Sequence, residues 1–493
     1  MIDLNLPAGR DGKPRSWLMF FLRPVVLGPV TLFLLIIVAG LAYRSSRSAG
    51  IPLIDEIVDR ETEGRIDIEP DENAFTFYER AFGLIPATLD EEAIAEAVDA
   101  LGAGEVEWDA VSPAAKKSLE MCEAVLAEWQ LGTELERGVQ IQPADLQIWD
   151  LIEVQKSRTI ICLALLKSAQ CLDEDQSEEA WQWLRALFRF SRHIGNSGRF
   201  ISRMVGDSCH AMLSKQFIGW ASHKSVTTEH LQTAFIELQV INALTASCSV
   251  NVKAEYFSYM NLLSSPETVH EYFLGEHSFW GDPDWNVPEP LVGSHLFLNA
   301  EPQLSQLLLR HLFANHLSQC DLPRRERNVA GTSRIPLFLP TGKETPPLMN
   351  VSTLNDAMMR SMMAQHFIPS SIQILKMIDR GQARQAAYEL CLTVEIFRRM
   401  HGEYPESLEA LVPEILDRVP PDLFGSGPAE RMLMIRRDVQ VPEEPTEEEA
   451  ELPRPGLIIY SRGVNGTDDG GDIARQTEDI GIRIPISSAP DLN

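Results

Sequence analysis

Cysteine is scarce and unpatterned. The 493 residues hold seven, at Cys122, Cys162, Cys171, Cys209, Cys248, Cys320 and Cys391, an odd number without a single C-x-x-C pair. That spacing excludes a dense disulfide framework and offers zinc no paired thiolates, so the thiols read as small buried hydrophobes. Positive charge is also short: 43 Lys and Arg stand against 71 Asp and Glu, a formal charge of −28. Phosphate binding needs clustered Lys and Arg, which excludes nucleic acid as a partner. Motifs of catalysis are missing as well. There is no G-x-S-x-G elbow, no phosphate-cradling G-x-x-x-x-G-K-[ST] loop, no dinucleotide glycine fingerprint and no H-E-x-x-H; His270-Glu271 is followed by Tyr-Phe-Leu. His311 and His316 are five apart, whereas two ligands on one helix face want three or four, so they read as core or solvated histidines.

What is present describes a folded chain, 44% hydrophobic and 23% charged, long enough for a large core or about three domains. Pro24 to Tyr43, PVVLGPVTLFLLIIVAGLAY, is an uncharged apolar run of 20 residues. A helix of that length spans a bilayer core of roughly 30 Å, so residues 24–43 are expected to insert in the lipid bilayer as a transmembrane helix. A cleaved signal peptide is the alternative, with Gly40-Leu41-Ala42 as a small-x-small site, but the run exceeds the usual apolar region of roughly 7 to 15 residues. Arg10, Lys13, Arg15 and Arg23 precede the run, and Arg44 and Arg47 follow it. This bias places the tail 1–23 in the cytoplasm and the body outside the cell membrane.

The body, 51–263, reads as helix after helix. Ser112-Pro113 is an N-cap followed by proline at the first helical position, and the run through Leu119, Cys122, Leu126 and Trp129 keeps helical spacing up to Gly132. Ile152–Leu172 carries Ile161, Leu165 and Ala169 on one face, and Ser177 opens SEEAWQWLRALFRFSRHIG with two glutamates in its first turn. Further amphipathic runs cover 200–220 and 229–246. The pairing of these runs predicts a mainly α fold, either irregular or a solenoid like tetratricopeptide arrays, although no repeat of 34 residues is visible. Trp181, Trp183, Phe188, Phe190 and Trp220 sit at helical spacing and read as core.

Residues 264–382 continue the body with looser stretches, SFWGDPDWNVPEPLVG and PLFLPTGKETPP, on both sides of a helix at 302–317. Long loops of this kind often carry function, which makes Trp280, Asp282, Asp284 and Trp285 a candidate binding surface. The alternative is a loop that pins its indoles on the helical stack.

The last segment, 383–493, differs in kind. A helix over 383–400 is followed by Gly402-Glu403-Tyr404-Pro405-Glu406-Ser407-Leu408-Glu409-Ala410-Leu411, then by two strand-like runs, 432–437 and 456–461. The strands are expected to pair as a β-hairpin around the acidic loop 441–455, which has nothing to bury. After the second strand comes YSRGVNGTDDGGDI, Tyr460 to Ile473. The order helix, G-x-Y-P-x-S-L-x-x-L, strand, strand ending in Y-S-x-G, and a Gly/Asp loop closing on Asp-Ile resembles the globular module of the major pseudopilins of type II secretion systems. Similar modules end many uncharacterised membrane-anchored bacterial proteins. The resemblance covers about 383–475 and implies a small α+β module. It also implies calcium, held by the carbonyl of Arg462 and by Asn465, Asp468, Asp469 and Asp472. Asn465 stands where the family has its first loop aspartate, and the family's G-F-T-L-x-E processing site is absent from the N-terminal helix. As an EF-hand the loop fails, because Gln476 replaces the closing bidentate glutamate. A glycine-rich turn with solvated aspartates is the alternative reading.

Three functions stay open at this point: an interaction or scaffold protein with partners in the cell envelope, an envelope enzyme with its site in the 264–347 loops, and an accessory subunit of a secretion apparatus. A shallow groove along the helices favours the first, and a deep pocket around Asp282 and Asp284 favours the second.

Overall fold

The computed structural model describes residues 24–103, 106–150, 153–196, 198–265, 267–269, 272, 289–331, 335–344, 348–367, 371–427, 429–437, 456–473 and 479–485. The acidic loop 441–455 and the tail 1–23 lie outside them.

Helix α1 (Pro24–Arg47) continues one turn past the expected end at Tyr43. Its Gly28–Arg47 stretch is unburied, long enough and apolar enough to cross a membrane. A second apolar stretch, Thr228–Leu262, passes the same test but is two helices broken at 244–247. The far end of α1 meets the body. A Cβ at Gly40 would lie 3.2 Å from Leu298 Cδ2, the Arg44 guanidinium sits 4.5 Å from the Phe297 ring centroid, and Arg44 also donates to the Phe297 carbonyl.

The body is helical throughout: α2 (Ala74–Leu84), α3 (Glu91–Ala103), α4 (Pro113–Met121), α5 (Glu123–Thr133), α6 (Val154–Asp173), α7 (Ser177–Asn196), α8 (Phe200–Met212), α9 (Ser214–Ser222), α10 (Thr228–Ala243) and α11 (Cys248–Leu262). After these come α12 (Glu289–Leu298), α13 (Gln303–Leu317), α14 (Val351–Met358), α15 (Met362–His366) and α16 (Ser371–His401). Their starts follow capping chemistry. Ser112 Oγ accepts from the Ala115 N–H at 3.2 Å with Pro113 behind it, and Thr227 and His230 form a reciprocal capping box at the start of α10. Two expected helices are each broken in two, at Cys122 and at Leu213.

Consecutive helices α6, α7 and α8 pack on one another, but α10 packs on α16, which lies far along the chain. The apolar interior has two large parts and a small third one around Ala383, Phe424 and Ile480. The first gathers α2–α10, the C-terminal half of α16 and the sheet, around Trp129, Trp181, Phe188, Phe190, Phe217, Trp220 and Tyr388. Trp181 stacks on Trp220 at 4.9 Å, and the Trp220 indole N–H donates to the Ser177 carbonyl at 2.8 Å. The second gathers α11, α13–α15 and the start of α16, together with Ile51 and Val58 just beyond α1. Both histidines of α13, His311 and His316, are buried.

The C-terminal segment forms the expected antiparallel pair and adds a third strand to it. Its sheet has three antiparallel strands in the order β1 (Leu433–Arg437), β2 (Gly456–Ser461), β3 (Ile480–Ile484). Tyr460 pairs with Leu433 on one side and Gly481 on the other. All six residues of β2 are buried: α16 packs on β2 and β3, and Gly471 of the Gly/Asp loop lies against Ile458 and Tyr460. That helix begins at Ser371 and so runs through the boundary expected at 382/383. It ends where Gly402 takes φ +82°, a left-handed conformation open to glycine, with its N–H donating to the Arg398 carbonyl at 2.8 Å.

Candidate functional site

The Gly/Asp loop is held by hydrogen bonds among its own parts. Tyr460 and the Gly470 N–H both donate to Asp468 Oδ1 at 3.0 Å, and Asn465 Nδ2 donates to Asp469 Oδ2 at 2.8 Å. Asp479, at the start of β3, accepts from the Gly471 N–H at 2.7 Å and draws the loop onto the sheet. The side chain of Arg462, whose carbonyl is the expected ligand, forms an ion pair: its Nη1 lies 3.1 Å from Asp422 and 2.7 Å from Glu430. Asp422 is buried and also accepts from the backbone N–H groups of Phe424 and Arg462, at 3.0 and 3.2 Å, and from the Ser461 hydroxyl. Asp472 is half-buried at the end of the described loop. No group of three or more His, Cys, Asp or Glu side chains able to hold a metal is gathered among the described residues. Trp280, Asp282, Asp284 and Trp285 lie outside the described residues.

Sequence reasoning missed a seam of buried charge between the two apolar interiors. It runs where α16 passes from the second interior, at Ile378, to the first, at Ala387. At its centre Arg192 of α7, Arg203, Asp207 and His210 of α8, and Gln385 of α16 are all buried. With its amide oxygen facing α7, Gln385 accepts from Arg192 Nη1 and Nη2 at 2.6 and 2.9 Å. The Arg203 Nε lies 3.9 Å from Asp207 Oδ2, and the Asp207 carboxylate presses on Gly381, where a Cβ would come within 3.0 Å of it. Burial pulls the Arg192 guanidinium down to about 10, against the pull of Asp207, so it stays charged at neutral pH. Burial likewise raises the Asp207 carboxyl, with Arg203, Arg192 and Arg384 opposing. His210 is held neutral, first by burial and then by the same three arginines.

Two further buried ion pairs flank this centre. Arg199 Nη2 meets Glu255 Oε1 at 3.0 Å, tying the start of α8 to α11, and Arg327 Nη1 meets Asp379 Oδ2 at 2.9 Å, tying the 322–328 turn to α16. Buried pairs of this kind add little net stability but fix one arrangement of the elements that carry them. The seam thus joins α7, α8, α11, the 322–328 turn and α16 through polar contacts.

Open surface lies elsewhere. A groove of about 460 Å³ runs over α4–α7 and is lined by Trp108, Lys116, Glu120, Gln130, Lys167 and Trp183, among others. Lys116 Nζ stands 5.4 Å from the Trp108 ring centroid. It is half open, and its lining mixes polar and apolar side chains. Trp183, which reads as core from its spacing, is buried in the first interior and also lines this groove. No family model, curated protein or solved structure matches the chain.

Proposed function

We propose that the chain is a single-pass membrane protein of the cell envelope, with a cytoplasmic N-terminus and an extracytoplasmic helical body that docks other envelope proteins. The observation that carries this reading is the unburied apolar helix Gly28–Arg47, which runs directly onto the body at Phe297 and Leu298. The groove over α4–α7 supports the docking role, because its two tryptophans and its Lys116, Glu120, Glu123 and Lys167 offer both apolar and directional polar contacts. The C-terminal module, helix followed by a three-stranded sheet with a pinned Gly/Asp loop, supports a pseudopilin-like cap in which the loop shapes the C-terminus. Photo-crosslinking in cells tests the docking role. A photoreactive residue at Lys116, Gln130 or Gln170 is expected to yield one discrete adduct with an envelope protein, and the same residue at the exposed Gln232 of α10 is expected to yield none. Identical patterns from the groove and from Gln232 would overturn it.

A further inference from the structure

A second apolar helix stands beside the far end of α1. The stretch Pro290–Ala300, PLVGSHLFLNA, which forms most of α12 and the turn after it, holds no Asp, Glu, Lys or Arg. Within it Leu296 packs against the second interior, whereas Phe297 and Leu298 are 52% and 38% exposed. These two are also the residues that meet α1, Leu298 at Gly40 and Phe297 under the Arg44 guanidinium. The body holds α12 in this place from its other end. The Ala300 N–H donates to the Phe297 carbonyl at 3.1 Å and the Glu301 N–H to the Leu296 carbonyl at 2.9 Å, the paired bonds of a Schellman cap, with Ala300 at φ +60°. Glu301 then enters the body as a buried side chain that accepts from the Ser361 hydroxyl at 2.5 Å and from the Ser305 hydroxyl.

We propose that α12 is a second membrane contact: its exposed pair, Phe297 and Leu298, lies in the lipid interface beside α1, and the body rests on the bilayer at this face. The inference rests on the reading that α1 spans the membrane, and not on which side of it the body lies. Depth decides the occupant. Gly40 stands four residues before Arg44, the first charge after the apolar run. At 1.5 Å per residue, Leu298 therefore sits about 6 Å deeper along α1 than the Arg44 backbone. Helices that lie on a membrane bury their apolar side about 5–10 Å into the boundary between headgroups and acyl chains, which is the same range. A water-soluble partner would have to reach that level within the span, so the exposed side of Leu298 meets acyl chains. Arg44 and Arg47 complete the contact: arginines at the end of a span keep their stems in apolar surroundings and turn the charge to the headgroups. With its guanidinium 4.5 Å from the Phe297 ring centroid, Arg44 sets that ring at the headgroup boundary.

Spin labelling of the full chain in nanodiscs of phosphatidylcholine and phosphatidylglycerol tests the contact. The seven native cysteines are buried, so a nitroxide reagent applied to the folded chain labels an introduced surface cysteine, and the parent chain treated alike gives the background. Phe297→Cys and Leu298→Cys are the probes. Leu34→Cys in the span and Leu131→Cys on α5, both exposed apolar positions, are the references for lipid and for water. Power saturation with oxygen, which concentrates in lipid, and with a nickel chelate, which stays in water, reads each site. Both probes are expected to show an oxygen-to-nickel accessibility ratio severalfold above that of Leu131→Cys. A ratio at either probe equal to that of Leu131→Cys, while Leu34→Cys reads as lipid, would overturn the contact and leave the span standing. Low access of both reagents at the probes would mean that protein covers them, a second copy for instance, and would also overturn it. A water-like ratio at Leu34→Cys would overturn the span itself and the contact with it.

Discussion

Gly206 sits where α8 crosses α7, and replacing it with alanine sets two physical effects against each other. In a helix interior alanine is favoured over glycine by about 1 kcal/mol. Here, however, the new Cβ would lie 2.5 Å from the Ser191 carbonyl oxygen and 3.0 Å from the Gly195 nitrogen, both backbone atoms of α7 that cannot swing away. Carbon–oxygen contacts settle near 3.3 Å, so the helices must part by roughly 0.8 Å. Overpacking of that order costs about 1–3 kcal/mol, and here it also pulls Arg203 and Asp207 from the face of Arg192. The expected net effect of Gly206→Ala is a loss of about 1 kcal/mol after the propensity gain. Gly219 of α9 supplies the control: nothing lies within 4 Å of its Cβ position, so Gly219→Ala is expected to gain up to about 1 kcal/mol. Urea unfolding of the full chain in detergent, followed by the fluorescence of the interior tryptophans, reads both. Shifts of the same sign, or a Gly206→Ala variant as stable as the parent at equal slope, would refute the close crossing.

Acid is expected to destabilise the body through its neutral histidines. His193 and His316 are both held down at about 4 by burial, from an ordinary value of 6.5. Their folded pKa lies below the unfolded one, so the unfolded chain takes up the proton first and stability is lost as pH falls below 6.5. At pH 5 each costs about 2 kcal/mol, and urea midpoints measured from pH 7 to pH 5 should fall accordingly and fall less in His316→Gln. A flat profile would show that these rings are solvated. Asp422→Ala removes the acceptor of the Phe424, Ser461 and Arg462 donors and is expected to cost about 2–4 kcal/mol locally. Amide exchange should accelerate across β2 while α6–α8 stay protected; unchanged exchange in β2 would remove Asp422 from the account. Calcium is expected to leave the melting temperature unmoved, since Asp468 and Asp469 are engaged with Tyr460 and Asn465; a shift abolished by Asp469→Ala would contradict that.

Helices bounded by local chemistry were legible from residues alone. Ser112-Pro113 and the Glu178-Glu179 first turn mark starts within one or two positions, because a cap is a contact between near neighbours. The breaks at Cys122 and Leu213 were not, since the apolar period continues through both and only tertiary packing decides them. Strand β3 was hidden for a different reason: IGIRI is five residues long and gains its meaning from the register with β2. The buried seam was least legible of all. Arg203 and Asp207 stand one helical turn apart, but Arg192, Gln385, Glu255 and Asp379 join them from other helices, and their burial depends on how those helices cross.

The central claim is that α1 spans the membrane and leaves the body outside the cytoplasm. Protease digestion of intact spheroplasts carrying the chain with an N-terminal epitope tests it most directly. The account predicts that the body is digested and a short tagged fragment, the tail with α1, survives in the membrane. A body protected until the membrane is lysed would contradict it.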